Sequence, residues 1–309
     1  MLRDSTAGNT GGPIAVGLVI FFESIMNLND ADPEIEIVTH CWSGPEVPIY
    51  HLMLQLQMSS LLTDPPDCIT RLTVCYTKTD RNTAITLGGL AIPFKHHKTL
   101  QLKLKPMSSE MLFRRSIGRH EVGFETQAKV VWFTDVDYLF YKKSVQQALE
   151  AALRSDADLV YPETVYRHRD HTQGDELLRH VELMPASDVI DKDVIGLKKN
   201  FEPHHYRRAI GGIQIVKGDL TRKIGYANKR NPVTDSDHFQ KCRGDIDFRK
   251  AIGSKEKVEI DGVYRIRHSR CGRDQGQIDH SKGSDDGTDQ IQKPGLVSGS
   301  TEEDHSTQD

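Results

Sequence analysis

The stretch KVVWFTDVD, residues 129–137, decides the fold. Its first five residues, Lys129 to Phe133, run without polar interruption, which is the pattern of a central parallel strand covered on both faces. Asp135 and Asp137 follow directly. In extended backbone residues i and i+2 face the same way, so the two carboxylates can converge on one hard divalent cation, Mn²⁺ or Mg²⁺, which would itself take diphosphate oxygens. The plainer alternative is that one Asp caps the next turn while the other is solvated. Their place after a dry strand favours function, because ligands of α/β sheets gather beyond the carboxyl ends of the strands.

Outward from this strand, strand-length and helical patterns alternate. Glu34 to Thr39 (EIEIVT) alternates at period two, and Tyr50, Leu54, Met58 and Leu61/Leu62 form a helical stripe. Arg71 to Thr77 and Thr99 to Leu104 read as strands, and Ser108 to about Glu125 as one helix carrying Arg114, Arg115 and Arg119. At most two of these arginines can face one site, since they lie within about one and a half turns. Ser144-x-x-Gln147 reads as a capping box opening a helix with Val145, Ala148, Leu149 and Ala152 on one face. Later come Leu159 to Tyr161, Ile210 to Val216, and Asp261-Gly262 as a type I′ hairpin turn. The order predicts a three-layer α/β/α fold on a mostly parallel central sheet, with the second half appended to that sheet.

Composition bounds the function. Apolar residues at 37% and charged residues at 27%, with a mean hydropathy of -0.51, describe a soluble globular chain and exclude a fibre or an integral membrane protein. The apolar run Ile14 to Phe22 is shorter than the ~17–25 residues of a span and is stopped by Glu23. Five cysteines at scattered positions, with no C-x-x-C, write neither a disulfide framework nor a zinc site, and a reducing, cytoplasmic setting fits them. From Asp274 onward nine acidic residues face two lysines, so the rest of the chain is mildly basic despite a net charge of -4. No Lys/Arg block is long enough for a nucleic-acid footprint, whereas phosphate-bearing small molecules suit the balance. The expected domains are a flexible tail over 1–12, one domain over 13–273 and a disordered acidic tail over 274–309.

Taken together, Ile117-Gly-Arg-His-Glu-Val-Gly123, the apolar strand and Asp135-Val136-Asp137-Tyr138 resemble the GT-A fold of family 2 glycosyltransferases. Gly211-Gly212-Ile-Gln resembles the family's glycine-containing strand beside the donor sugar. Gly244-Asp245-Ile-Asp247-Phe-Arg249 is similar to the segment that supplies the catalytic base, and Tyr264 to His268 to the late strand that brings a histidine to the metal. The resemblance covers roughly residues 34–272, with a nucleotide-binding half over about 34–140 and an acceptor half over about 141–273. His120 replaces the family's usual Asn, and Gly244 its usual Glu.

That resemblance implies transfer of a sugar from a UDP- or GDP-sugar to an acceptor hydroxyl, with inversion. It implies Asp135, Asp137 and His268 as ligands of Mn²⁺ or Mg²⁺, and Asp80, Arg119, Asp135, Gly211 and Gly212 around the donor. Asp245 or Asp247 would be the base. From the residues alone, His268 shares a face with Tyr264 and Ile266 and is either a core histidine or a ligand, while Asp80 is equally a turn former. Arg119 is a donor contact or part of a solvated helix face. Two other classes stay open: a nucleotidyltransferase, although Cys41-Trp-Ser-Gly-Pro45 is no phosphate loop, and a sugar-nucleotide-binding protein without activity. A haloacid-dehalogenase phosphatase is disfavoured by Tyr138-Leu139 after the Asp pair.

Overall fold

The computed structural model describes residues 31–44, 49–182, 200–226, 231–234, 239 and 244–269. Both expected tails and the Ile14 to Phe22 run lie outside them. The chain order is β1 (Ile35–His40), α1 (Tyr50–Thr63), β2 (Thr70–Tyr76), α2 (Arg81–His96), β3 (Leu100–Pro106), α3 (Ser109–Leu112), α4 (Arg115–Glu125), β4 (Val130–Phe133) and β5 (Tyr138–Phe140). It continues with α5 (Ser144–Arg154), β6 (Leu159–Pro162), β7 (Thr164–His168), α6 (His171–Glu182), β8 (Phe201–His205), β9 (Gln214–Lys217), α7 (Gly218–Ile224), α8 (Gly244–Ala251), β10 (Lys255–Val258) and β11 (Val263–Arg265).

Seven strands form the main sheet in the order β10-β6-β9-β4-β1-β2-β3, and β5-β11-β7-β8 form a smaller one. Neighbours in the main sheet are parallel except around β9, which runs antiparallel to both β4 and β6. This is the mixed, mostly parallel α/β architecture expected of a GT-A-like domain. Helices pack in two groups, α1 with α2 and α6, and α4 with α3 and α7. As predicted, β4 is central and wholly buried, with Val130, Val131, Trp132 and Phe133 all at 0% exposure.

Several local readings change. The strand read over 34–39 forms β1, and all six of its residues are buried. Glu36 is accommodated in the core because the hydroxyls of Thr73 and Thr126 donate to its carboxylate. The helix over 108–125 is broken at Arg114, whose φ of -104° and ψ of 84° leave helical space. The capping box does not form: Lys143, at φ 55°, occupies the cap position, and Gln147 instead donates to the Lys142 carbonyl and accepts from Asp261 N. Nor is there a hairpin at Asp261-Gly262. The strands on either side of it enter different sheets, β10 beside β6 and β11 between β5 and β7. Among these two residues only Gly262 has positive φ, at 85°, and the Lys142–Asp261 ion pair ties the turn to the start of α5.

Candidate active site

The turn after β4 is fixed from below. Gln57, inside α1, donates through Nε2 to the carbonyls of Asp135 at 2.9 Å and Tyr138 at 3.0 Å, so the helix holds both ends of the turn. On its other side Asp135 Oδ1 accepts from Arg115 Nη1 at 2.7 Å and Arg119 Nη2 at 2.8 Å, residues one turn apart on α4. Burial alone would push this carboxyl up, but Arg115, Arg119 and Arg265 hold it well below the usual carboxylate range. Asp135 is therefore a fixed negative charge. Among the described residues nothing donates to its second oxygen.

Asp137 is held in the same one-sided way. Arg265 Nε donates to Oδ2 at 3.0 Å, while Oδ1 is buried and without a hydrogen-bond partner among the described residues. The Ile266 amide donates to the Asp137 carbonyl at 2.7 Å, which carries the chain beyond β11 past this carboxylate and brings His268 within its electrostatic reach. His268 Nδ1 lies 3.0 Å from the Ser269 carbonyl, which assigns the proton to Nδ1 and leaves Nε2 as a lone-pair donor. Burial lowers the His268 pKa, so the ring is neutral near pH 7.

These groups suit a divalent cation, although not as a closed cage. No three His, Cys, Asp or Glu side chains among the described residues are grouped closely enough to hold a metal by themselves, so the expected set of Asp135, Asp137 and His268 is not assembled as one cluster. What the chain offers is an orphaned carboxylate oxygen on Asp137, an open one on Asp135 and a neutral imidazole. Mg²⁺ and Mn²⁺ sites that are completed by substrate phosphates need no more.

Arg119, Gly211 and Asp245 do come together. A Cβ built on Gly211 would lie 3.2 Å from the Asp245 Cβ, 3.3 Å from Arg119 Nη1 and 3.5 Å from Asp245 Oδ2, so the loop before β9 passes closely between cation and carboxylate, and a side chain there would press on both. Gly212 is there for a different reason: its Cβ would strike the Tyr138 ring at 2.2 Å. Asp245 is partly exposed in the first turn of α8, whereas Asp247 is exposed and meets none of these groups. Arg119 is neither on a solvated face nor open to solvent. At 3% exposure it reaches Tyr226, the Thr134 carbonyl and Asp135 from inside. Asp80 stands apart as the N-cap of α2, accepting from Thr83 N and Oγ1 and from Ser43 N, so the structure gives it a local task.

Four residues of this region were given no role by the sequence. Arg265 pairs with a carboxylate 128 positions away. Tyr226 and Gln214 join a buried hydrogen-bonded chain with Arg119. His40, at the end of β1, is buried with neither ring nitrogen bonded among the described residues; burial, then Arg119 and Arg115, hold its pKa well below the histidine range. Only the position of His40 at a strand's carboxyl end could have drawn attention to it.

No family profile matches the sequence, and no curated protein does. Among solved structures the chain is similar to S. aureus TarS 1-349, at 12% identity and a TM-score of 0.45 over 75% of this chain and 60% of that one. A second structure of the same S. aureus protein, in complex with UDP-GlcNAc, gives 12% and 0.46. The mannosyltransferase PcManGT from Pyrobaculum calidifontis, in complex with GDP-Man and Mn²⁺, gives 10% and 0.44 over 83% of this chain and 67% of that one. The chain thus spans about three fifths of the length of the TarS fragment. At this degree of likeness the fold assignment rests on the strand order of the chain itself.

Proposed function

We propose that the chain is a nucleotide-sugar-dependent glycosyltransferase of the family 2 type, moving a hexosyl group from a UDP- or GDP-sugar to an acceptor hydroxyl with inversion. One observation carries the reading: Asp245 lies against Gly211 and Arg119, and that arginine also grips Asp135 beyond the carboxyl end of β4. A base for an acceptor and an anionic pair suited to a metal diphosphate thus flank one loop.

In this mechanism the donor sugar lies along Gly211 and Gly212. The acceptor oxygen attacks the anomeric carbon, its proton passes to Asp245, and the bond to the diphosphate breaks with its electron pair leaving on the diphosphate. A single in-line displacement inverts the anomeric configuration. Asp135, Asp137 and His268 do not close a metal cage by themselves; completed by the donor's phosphates they would hold Mn²⁺ or Mg²⁺, which would supply neutralisation of the diphosphate charge. Arg115 and Arg119 orient the Asp135 carboxylate and Arg265 that of Asp137, which leaves their open oxygens ready without reorganisation. Exposure leaves Asp247 as a helix-start residue whose charge favours the first turn of α8. The buried free thiols Cys41, Cys68 and Cys75 support a cytoplasmic, reducing setting, and no helix among the described residues is long and apolar enough to cross a membrane.

The arginine pairs on both carboxylates also favour a second reading, a protein that binds a nucleotide sugar and does not turn it over. One assay separates the two: release of nucleoside diphosphate from a panel of UDP- and GDP-sugars with Mn²⁺ present and mixed hydroxyl acceptors. Release that depends on acceptor supports transfer. Tight binding of the same nucleotides with no release supports the second reading, and neither binding nor release contradicts both.

A further inference from the structure

Arg119, Tyr226 and Gln214 form a chain in which each hydrogen bond fixes the direction of the next. Arginine only donates, so Arg119 Nη1, 2.8 Å from Tyr226 Oη, makes that oxygen an acceptor and turns its proton elsewhere. Gln214 lies 2.7 Å away and must accept it through Oε1. The amide of Gln214 is thereby oriented, and its Nε2 donates to the Asp245 carbonyl at 3.2 Å and the Ala209 carbonyl at 3.4 Å. The other branch of Arg119 ends on Asp135 Oδ1. All three side chains are at most 3% exposed. The Tyr226 ring also stacks at 4.3 Å on Phe248, one turn along α8 from Asp245.

A buried polar chain of this kind is an expensive way to fill a core, because well-packed apolar side chains serve stability as well or better. Its return is geometric. It joins the carbonyl of one functional aspartate to the carboxylate of another across two sheet strands and a helix, through bonds whose donor and acceptor order admits one arrangement.

We propose that Tyr226 and Gln214 are positioning residues that transmit the placement of Arg119, anchored at Asp135, to the backbone at Asp245 and to the 209–213 loop, and so set the separation of the two carboxylates. The catalytic part of this inference rests on the transfer reading above; the positional part does not. Tyr226→Phe removes one oxygen and keeps the ring stack, and Gln214→Met keeps the side-chain length. Amide hydrogen exchange of the full chain gives the first readout. Exchange over 209–213 and 244–248 is expected to rise at least tenfold in either variant while that of β1 and β2 stays at the wild-type rate. Wild-type exchange in both segments would overturn the proposal whether or not the protein proves to be a transferase.

Kinetics give the second readout. In an active wild type, kcat is expected to fall 10- to 100-fold in Tyr226→Phe, with donor KM within threefold and Mn²⁺-dependent nucleotide binding unchanged. The double variant should be no slower than the slower single one, because the residues act in series. A lowered melting temperature with kcat at the wild-type value would show a merely structural role and contradict the proposal. If Gln214→Met does not fold, Tyr226→Phe decides. A wild type that turns over no donor would remove the transfer reading and leave the exchange result to stand alone.

Discussion

Asp135 bonds Arg119 and Asp245 lies within reach of the same arginine's charge, yet they are held by opposite means. Asp135 is gripped by its side chain, one oxygen taking two guanidinium groups, and its charge is fixed. Asp245 is gripped by its backbone carbonyl, which takes Gln214, while no described residue donates to its partly exposed carboxylate. A carboxylate with two arginines on it makes a poor proton acceptor and a good counter-charge. One that is positioned through its backbone keeps its lone pairs for a proton. The different roles proposed for the two aspartates thus follow from how they are held, more than from what they are.

Removing the free carboxylate should have the largest effect. Loss of a positioned base costs typically 10²–10⁴-fold, or about 3–5.5 kcal/mol of barrier, so Asp245→Asn should lower kcat by that order with donor affinity within a fewfold. Asp247→Asn should stay within a fewfold of wild type, and steady-state kinetics of the pair reads this directly. Equal losses in both would erase the distinction drawn between them.

On the clamped side the expected loss is of stability. Arg119→Met leaves Asp135 short of one partner and the Tyr226 hydroxyl without its donor, which should cost about 3–5 kcal/mol in urea unfolding. A loss under about 1 kcal/mol would mean that the clamp is ornamental. Asp137→Ala should remove most of the Mn²⁺ enhancement of nucleoside diphosphate binding, of order 10–100-fold, and leave binding without metal unchanged. Calorimetry with and without Mn²⁺ checks it, and an undiminished enhancement would place the cation elsewhere.

The smallest expected effect lies away from both carboxylates. His168 is 1% exposed and stacked on Phe201, and burial pushes its pKa down from 6.5 to about 4. The unfolded chain therefore binds this proton first as pH falls through 6.5, and stability contributed by the neutral ring declines until about pH 4. Between pH 7 and 5.5 the decline amounts to about 1 kcal/mol, and His168→Phe should remove that part of the pH dependence in thermal melts. An unchanged slope would show that the histidine is not buried neutral.

How much of this could be read from the chain follows from how local each feature is. The strand over 129–133 was legible because its four apolar residues, Val130 to Phe133, share one buried environment, and the aspartates beyond it because a strand end is a place that topology defines. Gly211 and Asp245 were legible only as pieces in an order. Their contact with Arg119 is a tertiary fact. β1 was legible as a strand, but period-two alternation could not tell that Glu36 is buried under two threonine hydroxyls. The break at Arg114 falls inside a stretch with helical composition, and Asp261-Gly262 has hairpin chemistry although its flanking strands go to different sheets. Arg265 illustrates the general limit. Period-two alternation puts it on the face opposite His268, whereas in the fold Arg265 bonds the Asp137 carboxylate and His268 also lies within that carboxylate's electrostatic reach.

Direct in-line attack by an acceptor activated at Asp245 is tested most directly by the configuration of the product. Proton NMR of the product anomer, formed from an α-linked UDP- or GDP-sugar by the full chain with Mn²⁺, reads the outcome in one spectrum. The expected result is a β-linked product that Asp245→Asn fails to accumulate. An α-linked product, or a β-linked one formed at full rate by Asp245→Asn, would contradict it.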